Sequence, residues 1–199
     1  MLINKIMKKI IIILVTIIST HCKAQSPVID LQARDGSRVQ NAYYKDVNNI
    51  LNPFEGTWLY TNGTTSLKIV LLKRNMKLLA TYYEDILIGE YQYIENGVEK
   101  FNSLSNLNAV LYNEYRHKIV GNHIHTRATP FNETTPGEKI LDLYFKDNMG
   151  GSIMVRKKMV GNQEAIQILK RSGTVGARVG DLPVTAIVPE EEYVLIKQP

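Results

Sequence analysis

Between Thr57 and Lys170 the chain is a succession of short apolar runs separated by turn residues. Thr57 to Thr61 is the first run. Asn62-Gly63 after it is a hairpin signal, because both central positions of a type I′ turn need positive φ. Ser66 to Lys73 follows, with Leu67, Ile69 and Leu71 on one face of a strand. Arg74-Asn75 reads as a turn, Lys77 to Tyr83 as a strand, Glu84-Asp85 as a turn and Ile86 to Ile94 as a strand. Asn96-Gly97 is a second hairpin signal before Val98 to Phe101. Ser103 to Asn108 reads as loop, and Ala109 to Tyr115 has no definite pattern. Lys118 to Val120 and His123 to Thr129 flank a turn at Gly121-Asn122, and Lys139 to Lys146, Ser152 to Val160 and Gln163 to Lys170 complete the series. No segment here sustains a helical period over three turns. About nine or ten short strands with regular turn signals predict an all-β barrel or sandwich. The short connections predict antiparallel sequential neighbours in an up-and-down order, and closure into a barrel would remove exposed edges.

The flanks differ. Ser26 to Asn52 is polar without a sustained period, although Asn41 to Leu51 predicts a short helix with Tyr44, Val47 and Leu51 on one face, ended by Pro53. Ser172 to Pro199 is broken by Gly173, Gly176, Gly180, Pro183 and Pro189, and Tyr193 to Lys197 predicts one last strand packing on the barrel. At the other end, Lys5, Lys8 and Lys9 precede the apolar run Ile10 to Ile18 and the short polar stretch Ser19 to Ala24, the three-part pattern of a secretory signal peptide. The run is nine residues, whereas a spanning helix needs about 20. The expected division is therefore a signal peptide over 1–24, a lead-in over 25–52, a barrel domain over 53–171 and a C-terminal tail over 172–199.

Charge then changes the picture only slightly. The formal net charge of +5 suggests a polyanionic partner. Four of the 24 basic residues lie in the first 24 positions, where no acidic residue stands, so the remainder carries 20 basic against 19 acidic residues. No one-sided basic surplus is left for phosphate binding, and a nucleic-acid partner is not expected. Cys22 is the one cysteine, so the mature domain has neither a disulfide nor a thiol nucleophile. Cleavage after Ala24 gives a soluble periplasmic or secreted protein. Lipidation of Cys22 instead gives one tethered to the outer membrane, although His21 stands where a lipobox has Gly, Ala or Ser. A monomer is expected.

Among chemistry-bearing residues, His123 and His125 alternate on one strand and face the same side, with His117 a third candidate metal ligand. No further converging ligand can be named, so no metal or other cofactor is expected. There is no Gly-x-Ser-x-Gly elbow, P-loop or dinucleotide fingerprint, and no catalytic residues are assigned. Acidic residues fall mostly where turns are predicted and read as solvated. Asn62-Gly63-Thr64 and Asn132-Glu133-Thr134 match glycosylation sequons but read as turn residues. Trp58 and Tyr60 share one strand face, and Tyr91 and Tyr93 another. Such aromatics either line a ligand cavity or simply fill the core.

Phe54-Glu55-Gly56-Thr57-Trp58 holds the only tryptophan, and Gly-x-Trp on the first strand is similar to the opening of lipocalin-like barrels. Taken with Ile88-Gly89-Glu90-Tyr91-Gln92-Tyr93-Ile94-Glu95-Asn96-Gly97-Val98-Glu99, the chain resembles a domain-of-unknown-function family of exported proteins from flavobacteria and their relatives. The leader ending in Cys22-Lys23-Ala24-Gln25 is similar to theirs, and the resemblance runs from the leader to Lys170. It implies an exported, lipocalin-like, up-and-down antiparallel β-barrel behind a short N-terminal helix, with an irregular tail after it. It carries no activity. The resulting expectation is a non-catalytic module that binds a small apolar ligand in the cell envelope. The alternative is an envelope interaction protein with a filled barrel, and the third reading is a metal-dependent enzyme built on His123 and His125.

Overall fold

The computed structural model describes residues 26–109, 113–125, 131–133, 135–173 and 184–199. The leader and Cys22 lie outside them. The fold is all-β. Among the described residues there are eleven strands: β1 (Val28–Asp30), β2 (Tyr43–Lys45), β3 (Gly56–Asn62), β4 (Thr65–Leu79), β5 (Tyr82–Glu95), β6 (Val98–Asn102), β7 (Ile119–His125), β8 (Ile140–Phe145), β9 (Gly151–Val160), β10 (Gln163–Ser172) and β11 (Glu192–Gln198). Eight of them close a ring of antiparallel pairings in the order β3-β4-β5-β7-β8-β9-β10-β11 and back to β3.

Alternation decides which residues face the middle of the ring. On β4, Leu67, Ile69 and Leu71 are buried inside while their neighbours are only half-buried. β5 is covered on both faces. Leu87, Tyr91 and Tyr93 point into the ring, and Ile86 and Ile88 join Leu79 and Val120 in a second apolar cluster outside it. Along one edge β5 has β4 as its partner. The other edge is shared by three strands in turn: β2 at Tyr83 and Glu84, β7 at Leu87 to Gly89, and β6 at Gln92 to Glu95. Gly89 sits where β4, β5 and β7 crowd together. A Cβ there would lie 2.6 Å from Leu71 Cδ2 and 2.7 Å from the Val70 carbonyl oxygen, which requires a residue without one.

Several expectations change. The helix over Asn41 to Leu51 does not form; Tyr43–Lys45 is a strand parallel to β1 and β5. The unpaired edge of β5 captures this segment, with Tyr83 N–H donating to the Ala42 carbonyl at 2.8 Å. The Asp46 carboxylate then folds the chain back, accepting from Ile50 N at 2.8 Å and Leu51 N at 2.9 Å. Tyr44 and Leu51 are buried as the helix reading had them, but Val47 is exposed. The described helical elements are three-residue 3-10 turns, among them Asn52–Phe54 before β3.

Arg74-Asn75 is not a turn either. β4 continues to Leu79, with its register slipping between Arg74 and Lys77. There Met76 takes a φ of 51°, and its N–H donates to Asp85 Oδ1 at 2.9 Å. A carboxylate on the neighbouring strand thus holds the bulge open, and the chain reverses only at Ala80-Thr81. Glu84 and Asp85 consequently lie inside β5 and are buried, not solvated. Gly121-Asn122 is likewise a bulge within β7, not a turn.

The first hairpin turns one residue later than expected, at Gly63-Thr64. Asn96 and Gly97 both have positive φ, 52° and 76°, and connect β5 to β6 as the sequence predicts. The final strand is a full member of the ring. β11 lies between β10 and β3, so both its edges are paired, and Val188 ahead of it is buried in the core. The ring therefore takes in Glu192–Gln198 beyond Arg171, and among the described residues β11 has a partner strand on each side.

Candidate ligand cleft

Trp58 is fully buried; its Nε1–H donates to the Phe54 carbonyl at 2.9 Å, and Lys157 Nζ lies 4.5 Å from its ring centroid. Tyr60 packs edge-on against Tyr193, with centroids 5.0 Å apart. Tyr91 contacts Phe101 and Phe145, each at 4.6 Å, and Tyr93 is buried in the same core. The four aromatics singled out by sequence are thus packed against protein.

The histidines part company. His117 is buried against Glu90, its Nδ1 2.8 Å from Oε1. His123 is exposed and His125 half-buried on β7. Among the described residues no three His, Cys, Asp or Glu side chains converge to hold a metal ion.

What sequence reasoning missed is a set of buried carboxylates on β5. Asp85 organises the lead-in: Oδ1 accepts from the Tyr43 hydroxyl at 2.5 Å, and Oδ2 accepts from Asp46 N at 3.0 Å. Glu84, fully buried, points the other way. Its Oε2 accepts from Arg34 Nη1 at 3.2 Å and its Oε1 from the Tyr115 hydroxyl at 3.4 Å. Burial, followed by the Glu84 charge, pushes the Tyr115 hydroxyl up from its ordinary range, so it stays a donor. Arg34 Nη1 also reaches Asn122 Oδ1 at 3.3 Å, and Asn122 Nδ2 donates to the Asp85 carbonyl at 2.7 Å. Asn122 is available for this because the β7 bulge turns it toward β5. A bulge that re-aims a side chain is a recurring device beside functional sites.

Of these groups Arg34, Tyr115 and Asn122 line a cleft of about 370 Å³, with Arg38, His123, Asp142, Tyr144 and Ser152, while Glu84 and Asp85 lie behind it. The lead-in loop supplies the arginines, β7 supplies Asn122 and His123, and β8 supplies Asp142 and Tyr144. Tyr144 is 60% exposed and meets Tyr115 edge-on at 6.2 Å. The segment carrying Tyr115 is tied down three ways: Lys77 Nζ lies 3.0 Å from Glu114 Oε1, His117 holds Glu90, and Lys146 Nζ donates to the Tyr115 carbonyl. The Tyr115 side of the cleft is therefore held in place, with the exposed Tyr144 ring beside it.

The model of DUF6705, a family of unknown function, matches residues 7–198. The chain belongs to that family. No curated protein and no solved structure matches it. The DUF6705 match runs past Lys170 through β11, in agreement with the ring's closure by that strand. It brings no activity to the cleft, whose reading rests on its own residues. Two further clefts among the described residues of this DUF6705 chain are also polar. One sits under Asp46, Lys73 and Asp85, where Lys73 Nζ contacts Asp46 Oδ2 at 2.8 Å. Another lies between Glu138 and Arg156. Each is lined by an ion pair of the protein itself.

Proposed function

We propose that the protein is an exported, non-catalytic binding module of lipocalin-like barrel architecture, holding a small neutral polar molecule in the cleft between the lead-in loop and β7–β8. One observation carries this reading: the fully buried Glu84 holds Arg34 and the Tyr115 hydroxyl in fixed positions at the cleft wall. A buried carboxylate is costly unless its partners satisfy it. Here it satisfies two groups that face a concave surface, the arrangement that keeps a recognition site within tight geometric limits.

The charges favour a neutral ligand. Arg34 is balanced by Glu84, and Asp142 lines the cleft together with the arginines, so neither an anion nor a cation finds a surplus. Tyr115 and Tyr144 offer ring surface to the carbon face of a sugar or polyol, while Arg34 donates and Asp142 accepts. The four aromatics from which an apolar ligand was expected are engaged in the core, so support for binding falls on the polar cleft.

Titration calorimetry against a panel of neutral sugars and polyols tests this. At least one should bind, and Arg34→Ala and Tyr144→Ala should each lose that binding while circular dichroism stays native. If no panel member binds, or both variants bind as well as the parent, the cleft is not the site. Export is tested separately by N-terminal sequencing of the mature chain from fractionated cells. A start at Gln25 supports cleavage after Ala24, a blocked, lipid-bearing Cys22 supports tethering, and a chain retaining its first 24 residues removes export.

A further inference from the structure

Lys170 and Asp147 meet inside the ring, with Nζ 3.1 Å from Oδ2 and no exposed surface on either side chain. Lysine and aspartate ordinarily change charge far from neutral pH, whereas an imidazole changes it close to neutrality. The buried pair that contains an imidazole stands on the outer face of β5. Tyr91 points into the ring, so Glu90 beside it points out. Glu90 Oε1 lies 2.8 Å from His117 Nδ1, and both side chains are almost fully buried. On the far side of the imidazole, Nε2 lies 3.4 Å from Glu114 Oε2.

His117 therefore stands between two carboxylates. A neutral imidazole has one N–H and one lone pair. In either tautomer a lone pair faces a carboxylate, that of Glu90 at 2.8 Å or that of Glu114 at 3.4 Å. With a proton on both nitrogens the imidazole attracts both. Even then the contact is loosely made, since Glu90 Oε2 and His117 Nε2 are buried with no hydrogen-bond partner among the described residues. A buried pair held in this way depends on its charges. The other charged groups packed around it are lysines. Lys77 Nζ lies 3.0 Å from Glu114 Oε1, Lys118 Nζ sits 5.1 Å from the Phe101 centroid, and Lys146 Nζ donates to the Tyr115 carbonyl. Burial, then the Lys118 charge, pushes the Lys146 ammonium down from its ordinary range, and Glu90 acts the other way.

The segment that this pair fastens is short. Glu114–Arg116 is a single 3-10 turn, in which Arg116 N donates to the Asn113 carbonyl at 3.0 Å and His117 N to the Glu114 carbonyl at 3.1 Å. Tyr115 at its centre lines the cleft and donates to Glu84. We propose that His117 is a pH-dependent pin for the cleft: its imidazolium fastens the Glu114–Arg116 turn to β5, and loss of one proton loosens the turn and Tyr115 with it. The wall is thus fixed at lower pH and loosened as pH rises through the titration of His117. The consequence for ligand capture rests on the cleft reading above; the pin itself does not.

Nuclear magnetic resonance of the intact protein reads both halves. The His117 Cε1–H resonance reports the charge of the imidazole. Hydrogen exchange at the Arg116 and His117 amides, corrected for the intrinsic effect of pH, reports the turn. Protection at these two amides should fall about tenfold as His117 loses its proton, with the same midpoint. The comparison is with the imidazole, because Lys146 also loses a proton as pH rises. Glu114→Gln removes one of the two carboxylates from a half-buried position and should move both midpoints together to lower pH. If Glu114→Gln does not fold, coincidence of the two midpoints in the parent still decides. Constant protection while His117 titrates overturns the proposal. So does a His117 that keeps one charge throughout the folded range, a protection loss with its midpoint elsewhere, or a profile that vanishes in His123→Gln. Sugar binding that fails at every pH counts against the cleft alone, since no sugar enters this measurement.

Discussion

Replacing Trp58 with Ala should bring the protein close to unfolding. The indole is fully buried on the inner face of β3, in register with Ile69 of β4 and Lys197 of β11. Its removal deletes a large side chain from a packed site, which typically costs about 3–5 kcal/mol. The variant also strips the Phe54 carbonyl of the 2.9 Å bond it accepts from Nε1. Leaving a buried acceptor unpaired costs about 1–3 kcal/mol unless water reaches it. The two losses share one cavity and overlap, so the expected total is about 4–6 kcal/mol against a domain stability of about 5–15 kcal/mol. Urea unfolding followed by far-ultraviolet circular dichroism measures it, since the variant has no tryptophan to report. Trp58→Phe divides the effect, because it keeps most of the packing and loses only the hydrogen bond. In the parent, blue-shifted emission that moves red in denaturant reports the same burial. A loss below about 2 kcal/mol in Trp58→Ala, with an unchanged denaturant slope, would refute the claim that this ring anchors the core.

Gly89→Ala should destabilise by about 1–3 kcal/mol, because the added carbon meets a backbone carbonyl at 2.7 Å that cannot move aside; an unchanged urea midpoint would contradict the crowding of β4, β5 and β7. Lys170→Met alone should cost about 3–5 kcal/mol by stranding the Asp147 charge, and adding Asp147→Leu should recover most of it; a double variant as unstable as the single one would show that the pair is not a self-contained unit. At alkaline pH, the hydroxyls of Tyr43, Tyr91, Tyr115 and Tyr193 are all held above their ordinary value of 10.0, chiefly by burial. Their contribution to stability is fully present below about pH 10 and is lost as pH rises toward the folded-state values, since the unfolded chain ionises first. The melting temperature should therefore fall steeply above about pH 10, with the last part of the tyrosinate absorption, that of these four hydroxyls, growing only as the fold opens; complete tyrosinate formation ahead of unfolding would go against this.

Local chemistry made the strands legible. The alternation of Leu67, Ile69 and Leu71 fixes the inner face of β4, Asn96-Gly97 fixes the β5–β6 turn, and Gly56-Thr57-Trp58 opens the first ring strand with Gly56 at a φ of 134°. The misread places share a cause: each depends on a partner distant in sequence. Glu84-Asp85 looks like a turn until Arg34, Tyr43, Met76 and Tyr115 are brought to it. Arg74-Asn75 looks like a turn until Asp85 stabilises the bulge beside it. The lead-in has helical spacing, but the open edge of β5 offers its backbone better partners. Among the cleft residues only His123 was flagged, and for a metal that nothing around it would hold. Two consecutive acidic residues flanked by tyrosines and isoleucines were the one available signal, since a solvated turn seldom has such neighbours.

Closure of the ring joins Thr57 on β3 to Gln198 on β11, the first and last strands of the ring in chain order. Neighbouring hairpins such as β4–β5 and β9–β10 pair over short chain separations and can form early, whereas this contact carries the largest loop-closure entropy in the molecule. Until it forms, β3 and β10 each present a bare edge, the kind of template on which other chains assemble. During synthesis the growing polypeptide is therefore an open, adhesive sheet whose protection arrives with β11. A ribosome stalled ahead of Glu192 would release aggregation-prone material even though nearly all of the core residues had already been made.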